Sequence, residues 1–258
     1  LISIDKDKFH DILLELASSN GVELLEKKRV TDFKVQKDAV IVNAGNDTYE
    51  GKILVGADGC MSSVRKYLDP EKKKVAFAIS ALSDRPLHEF YQDIIDFDSI
   101  SYGYVWCGRH GDLYNVGLGS TDVRSVKQMW EHLKVKYPAD YIRERGAFVL
   151  MSPVRRIVKD RVLLVGEAGG FIGYATGAGI STGLWSSRLA VQPILKALKD
   201  ISRLKDYSII ARRETRRRLL QEYMLQKYIL TTQKIGIFAP LTSFIMGHVP
   251  SVARLIYS

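Results

Sequence analysis

Residues 161–190, "RVLLVGEAGGFIGYATGAGISTGLWSSRLA", decide the fold. The apolar run Val162–Val165 reads as a short buried strand, a glycine-dense loop follows, and from Gly179 the pattern turns helical. Glycines 166, 169, 170, 173, 177, 179 and 183 crowd a connection that would ordinarily need one or two. That density predicts a ligand lying directly on the main chain, where side chains are excluded. The competing reading is a tight strand-to-helix packing loop with no ligand.

Phosphate-binding loops of the commonest kinds do not fit. A P-loop needs a Gly-Lys-Ser/Thr sequence, and no lysine occurs between Lys159 and Lys196. A dinucleotide fingerprint needs G-x-G-x-x-G directly after the strand, whereas this chain offers Gly166-Glu167-Ala168-Gly169-Gly170. A flavin loop remains. Amides at a helix start near Gly177, Ala178, Gly179 and Ile180 carry partial positive charge suited to the electron-rich edge of a reduced flavin. Glu167, at the end of the preceding strand, is placed to accept hydrogen bonds from the hydroxyls of a ribityl chain.

Outward from this loop, the alternation of Val30, Phe33, Val35, Val40 and Val42 predicts a hairpin, with "NAGND" at 43–47 supplying the next turn. Ile53 to Val55 predict a short buried strand ending at Gly56. Phe9, Ile12, Leu13 and Leu16 fall at helical spacing behind Asp5 or Asp7 as cap, with Gly21 past the end. The middle is strand-rich (75–82, 100–106 and 113–120), and residues 125–145 read as a helix with Trp130 and Leu133 on one side. "AFVLM" predicts a further strand, and from Gly179 the chain reads as mainly helical, broken by Gly236 and Pro240.

Composition bounds the function. With 258 residues, 46% hydrophobic and 26% charged, the chain has the make-up of a globular protein. Cys60 and Cys107 stand far apart in unlike contexts, which argues against a disulfide framework and for a reducing, cytoplasmic setting. The first residues lack a signal peptide's apolar run, and the apolar run after Lys234 is too short to span a bilayer. Residues 188–258 carry 13 Lys and Arg against 4 Asp and Glu, so the whole net charge of +9 sits there, centred on "RRETRRR" at 212–218. It reads as a solvated helix face, with Glu214 and Arg218 at pairing distance, or as a peripheral contact with anionic lipid; a protein or nucleic-acid partner is a further reading. No nucleic-acid-binding motif accompanies it, which argues against that partner. The five histidines and two cysteines lack metal-ligand spacing, so no metal is expected, and no hydrolase nucleophile elbow is present.

The stretch 161–190 resembles the second flavin-contacting motif of the flavoprotein monooxygenase and geranylgeranyl reductase superfamily: strand, Gly-Asp-Ala, loop, then Gly-x-Gly-Ile opening a helix. "GADGCMSSVRKYL" at 56–68 is similar to the superfamily's Gly-Ala-Asp-Gly-x-x-Ser-x-Val-Arg motif. The resemblance implies FAD contacts from Asp58, Gly59, Arg65, Gly166, Glu167, Ala168, Gly177, Ala178, Gly179 and Ile180. Two departures stand out: Glu167 replaces the usual aspartate, and Tyr174 occupies the position where many members place proline beside the flavin. "SYGYVWCGRHGDLYNVGLG" at 101–119 resembles the Tyr-x-Trp-x-Phe-Pro and Gly-x-Gly pattern of the geranylgeranyl reductase-like branch, with Cys107 departing from it. The branch implies substrate contacts from Tyr102, Tyr104, Trp106, Gly117, Gly119 and Tyr174. On a strand, 102, 104 and 106 share one face, giving either an aromatic wall for an apolar ligand or a face packed on its own core. Cys107 reads as an inert packed thiol.

The resemblance implies a mixed α/β fold: a partial Rossmann-like FAD-binding domain from residues 1–70 and 150–190, an inserted, mainly antiparallel β-sheet substrate domain at 71–149, and a C-terminal helical segment at 191–258. The family's N-terminal G-x-G-x-x-G segment is not found in residues 1–258, so the expectation is a chain that this segment would precede. The expected activity is FAD-dependent reduction of C=C bonds in a prenyl or other apolar lipid-like substrate, with NAD(P)H or a reduced carrier as electron donor. The alternatives are an aromatic-ring monooxygenase using FAD and NAD(P)H, and a non-catalytic lipid- or partner-binding protein on a degenerate flavoprotein scaffold. No catalytic acid or base is singled out, because in flavin reductions the cofactor carries the hydride.

Overall fold

The computed structural model describes residues 4–87, 94–96 and 103–235. In chain order its elements are α1 (Lys6–Ser19), β1 (Val30–Val35), β2 (Val40–Ala44), β3 (Asp47–Gly51), β4 (Leu54–Gly56), α2 (Ser63–Leu68), β5 (Val75–Ser83), β6 (Ile94–Asp96), β7 (Gly103–His110), β8 (Leu113–Ser120), α3 (Val126–Lys136), β9 (Tyr141–Leu150), β10 (Val158–Lys159), β11 (Val162–Leu164), α4 (Ile180–Ala197) and α5 (Asp206–Ile235). Short 3-10 turns at Gly166–Gly169 and Ile201–Lys205 precede α4 and α5. They group into two compact units, one of described residues 4–29, 77–87, 94–96 and 103–147, the other of residues 30–76 and 148–235.

The second unit is organised around β11. Val162, Leu163 and Leu164 are each fully buried. A strand covered on both faces reads as a continuous apolar run rather than an alternating one. β11 pairs parallel with β4 and antiparallel with β10. Val64 and Leu68 of α2, Ala190 and Ala197 of α4, and Leu204, Tyr207 and Ala211 complete its core. The Tyr207 hydroxyl donates to the Leu164 carbonyl at 3.1 Å, so α5 is pinned to the strand by a polar bond as well as by packing. The three-stranded antiparallel meander β1-β2-β3 belongs to the same unit, with the turn near Gly45 as the sequence suggests. β4 was expected to be buried. It lies at the edge of its sheet, order β10-β11-β4, and Val55 is 41% exposed.

The first unit is a five-stranded sheet, order β6-β7-β8-β5-β9, with α3 on one face. Val126, Trp130 and Leu133 of α3 pack on Ile79, Ala81, Val105, Cys107, Val116 and Leu118. Here the expected helix over 125–145 is corrected. It stops at Lys136, before Tyr137 and Pro138, and Tyr141–Leu150 is strand β9. The residue before a proline is driven out of the helical region, and the chain leaves the helix there. α1 forms as read, with Asp5 Oδ1 accepting from the amides of Asp7 (3.1 Å) and Lys8 (3.2 Å). Its apolar stripe stays open, however: Ile12 and Leu16 are exposed and no residue of α1 is buried.

Candidate functional site

The segment 56–68 folds on its own polar groups. The Asp58 carboxylate accepts from the hydroxyl of Ser62, from the amide (2.7 Å) and hydroxyl (3.1 Å) of Ser63, and from the amide of Val64 (3.2 Å). Burial works to raise this acid's pKa, but the bonds from Ser62 and from the amides outweigh it, and the net shift is downward. Arg65 is buried and donates to three carbonyls, those of Cys60, Gly59 (3.3 Å) and Ala168 (3.3 Å). One guanidinium therefore ties the first motif to the glycine loop. Both side chains shape the loops and direct their polar atoms into the protein's own framework.

The loop itself is held at several points. The Gly166 amide donates to Ser186 Oγ at 2.9 Å, which fixes the strand end to α4. The Phe171 amide returns to the Gly166 carbonyl at 3.0 Å, and Thr182 Oγ1 donates to the Phe171 carbonyl at 2.7 Å. Glu167 Oε1 accepts from the Leu150 amide at 2.8 Å, so one of its oxygens is committed within the fold. Burial pushes the Glu167 carboxyl up, against the opposing Leu150 bond and the Arg65 charge. Gly177 sits in the left-handed region (φ 67°) and turns the chain into α4. Ala168 is fully buried beneath the loop.

Gly179, at the N-cap of α4, differs from its neighbours. Its φ of −125° suits any residue, and among the described residues a Cβ there would meet Ile172 alone, at 3.6 Å. Neither backbone torsion nor the protein's own packing calls for glycine. Among the described residues no side chain caps this helix start, and no acidic residue occupies its first turn, so the amides around Ile180 and Ser181 keep their partial positive charge. This open, uncapped backbone fits the flat, electron-rich edge expected of a flavin.

Tyr174 lies in the same unit, 2% exposed. Its hydroxyl donates to the Gly170 carbonyl at 2.8 Å, and burial holds its pKa well above the usual phenol range. Its ring borders a cavity of about 200 Å³ between the loop and α5, lined among others by Val154, Phe171, Leu219 and Tyr223.

The aromatic strand is in the other unit. Tyr102 lies outside the described residues. Val105 and Cys107 point into the core (3% and 0% exposed), so Tyr104 and Trp106 stand on the opposite, half-buried face with ring centroids 5.6 Å apart. The alternation excludes these two rings from the α3-covered core, and Cys107 is a buried free thiol. The register explains the glycines opposite them: Tyr104 pairs with Gly119 and Trp106 with Gly117. A Cβ on Gly117 would lie 2.2 Å from Trp106 Cζ2 and 2.6 Å from the Ile79 carbonyl oxygen. The indole lies flat over bare backbone, with its N–H on Asn115 Oδ1 at 2.9 Å.

The fold thus brings together Asp58, Gly59, Arg65, Gly166, Glu167, Ala168, Tyr174, Gly177, Ala178, Gly179 and Ile180 in one unit, and Tyr104, Trp106, Gly117 and Gly119 in the other. Sequence reasoning missed Asn115, Ser186, Glu222 and Gln226, because each acts through a contact to which no local pattern points. Among the described residues no cluster of His, Cys, Asp and Glu could hold a metal ion.

No protein-family model matches the chain. It is 29% identical over 228 residues to a digeranylgeranylglycerophospholipid reductase of Methanococcus aeolicus, covering 78% of this chain and 57% of that protein. It is 30% identical over 203 residues to digeranylgeranylglycerophospholipid reductase 2 of Methanosphaera stadtmanae, covering 71% of this chain and 52% of that protein. The chain therefore spans little more than half the length of these relatives. In fold it resembles a geranylgeranyl bacteriochlorophyll reductase-like protein from Thermoplasma acidophilum, with a TM-score of 0.76 at 19% identity over 96% of this chain and 73% of that one. The anhydrotetracycline hydroxylase of Streptomyces rimosus shares the fold with a TM-score of 0.72 at 20% identity, over 99% of this chain and 56% of that one. These likenesses in sequence and fold make the chain a relative of the geranylgeranyl reductase-like branch of the FAD-dependent oxidoreductase superfamily.

Proposed function

We propose that the protein is an FAD-dependent oxidoreductase that reduces C=C bonds of a prenyl or similarly apolar lipid. The observation that carries the cofactor assignment is the uncapped start of α4 at Gly179, a glycine its own fold does not require. The choice of reduction over ring hydroxylation follows the names of the relatives and the Tyr104–Trp106 face over Gly119 and Gly117, which offers two aromatic rings on one side of the sheet.

In this reading bound FAD, once reduced by NAD(P)H or a reduced carrier, would supply the hydride for the double bond, with a proton from solvent completing the addition. The chain's residues hold and orient. The amides of Gly179 and Ile180 would face the electron-rich edge of the ring, and the Glu167 carboxylate, already bonded by the Leu150 and Cys60 backbone, would stand beside the ribityl hydroxyls. Asp58 and Arg65 keep the two motif loops in register, while Tyr104 and Trp106 present apolar surface to the substrate. The basic helix α5 gives the enzyme a peripheral hold on anionic bilayers; Arg212 and Arg213 are exposed, and Arg213 pairs with Glu214 at 3.0 Å. Among the described residues no helix is long and apolar enough to cross a membrane.

The test incubates the FAD-loaded protein, chemically reduced under argon, with a digeranylgeranyl glycerophospholipid, and follows product mass. A gain of two hydrogens per double bond is expected. NAD(P)H-dependent oxygen uptake with a hydroxylated product would assign the hydroxylase reading instead, and a protein that binds the lipid without FAD would assign the scaffold reading.

A further inference from the structure

Helix α5 carries two buried polar side chains one turn apart, Glu222 (7% exposed) and Gln226 (4%). Both reach the glycine loop, and both reach its backbone. Glu222 Oε2 accepts from the Ala175 amide at 3.3 Å, and Gln226 Nε2 donates to the Tyr174 carbonyl at 2.8 Å. Tyr223, between them in sequence, packs edge-on against the Tyr174 ring with centroids 5.9 Å apart. The carboxylate comes so close that a Cβ on Gly173 would lie 3.3 Å from Glu222 Oε2 and 2.6 Å from Thr176 Oγ1.

Residues 174 and 175 belong to no helix or strand, so their buried peptide groups depend on partners from elsewhere. Phe171, Ile172, Tyr174 and Ala175 are buried, but packing of side chains alone does not orient the peptide groups between them. Directional bonds to the loop's amides and carbonyls are what can fix its position. The same segment closes on itself through Gly173 N–H to the Ala178 carbonyl (2.9 Å) and Gly177 N–H to the Gly173 carbonyl (2.7 Å), and runs directly into Gly179. Whatever holds 174–175 therefore sets where the amides of α4 begin.

We propose that Glu222 and Gln226 are positioning residues that hold loop 173–179 in its cofactor-accepting shape, making α5 a structural part of the flavin site. This rests on the flavin reading of the loop. The experiment compares wild type with Gln226→Met, which keeps the shape and removes the donor, Gln226→Glu, which sets an acceptor against the Tyr174 carbonyl, and the pair Glu222→Gln and Glu222→Met. Hydrogen exchange of amides 173–178 reads the clamp without cofactor, and FAD titration reads its consequence. Gln226→Met, Gln226→Glu and Glu222→Met are expected to speed loop exchange by about tenfold and weaken FAD by about tenfold, as the loss of one buried hydrogen bond would. Glu222→Gln keeps an acceptor for Ala175 and stays within about threefold of wild type on the same scale. Unchanged loop exchange in Gln226→Met would overturn the clamp. Faster exchange with unchanged FAD affinity would overturn its role in the site. A full-length wild type that takes up no FAD would bring down the flavin reading, and with it this one.

Discussion

Replacing Gly179 by alanine separates a ligand-binding glycine from a structural one. The added methyl meets only Ile172 Cδ1 and Cγ1, both at 3.6 Å, an ordinary van der Waals contact, and φ of −125° is open to alanine. Two small effects on stability oppose each other. Alanine is a poorer N-cap than glycine by about 0.5–1 kcal/mol. It also restricts the unfolded chain by a comparable 0.4–1 kcal/mol or so. The net is near zero, so Tm should move by no more than about 2–4 °C. Binding should respond differently. If a flavin ring rests on this backbone, the methyl stands in its contact surface, and overpacking of roughly 1–3 kcal/mol weakens FAD by about five- to 150-fold. Isothermal titration with FAD, paired with thermal melts of the free protein, measures both. Gly177→Ala is the control: at φ 67° it should cost about 1–2 kcal/mol of stability with or without a ligand. Gly179→Ala with unchanged Tm and an FAD Kd within twofold of wild type would refute the placement of the flavin at the start of α4.

Two further outcomes follow from contacts already described. Gly117→Ala should lower stability by about 1–3 kcal/mol in urea denaturation, because its Cβ meets the Trp106 ring and the immovable Ile79 carbonyl together; full stability would mean that the indole does not lie over the strand. The Glu167 carboxyl, raised by burial above its ordinary 4.5, favours the fold fully below that pH, and this contribution is lost as pH rises through the folded-state value. Glu167→Gln keeps an oxygen for the Leu150 amide, so its stability relative to wild type should improve between pH 4 and pH 7. A variant whose stability relative to wild type falls between pH 4 and pH 7 would contradict that sign.

What could be read from the sequence was local. The strand and glycine loop from 162 and the helix after Gly179, an aspartate cap (Asp5 or Asp7) on α1, the hairpin at 30–42 with the turn at 43–47, and the strand at 113–120 each rest on periodicity or turn chemistry within about twenty residues; the strand expected at 100–106 runs on to His110. The same holds for the two glycine-bearing motifs at 56–68 and 161–190. The stop at Lys136 was also legible, since Pro138 announces it. The open face of α1 and the edge position of β4 were not, because amphipathic spacing shows that a face exists and says nothing of what covers it.

The sequence alone determined the glycine loop and most of the strand and helix segments, because these depend on short-range backbone preference. Tertiary structure decided how their residues are used. Asp58 and Arg65 turn inward to bind Ser62, Ser63 and the carbonyls of Cys60 and Ala168, and Trp106 finds Gly117 through cross-strand register. Tyr174 and Ala175 are held by Gln226 and Glu222, 52 and 47 residues away along the chain. Hydrogen bonds of that span leave no periodic trace, since their partners need only the right atom at the right point in space.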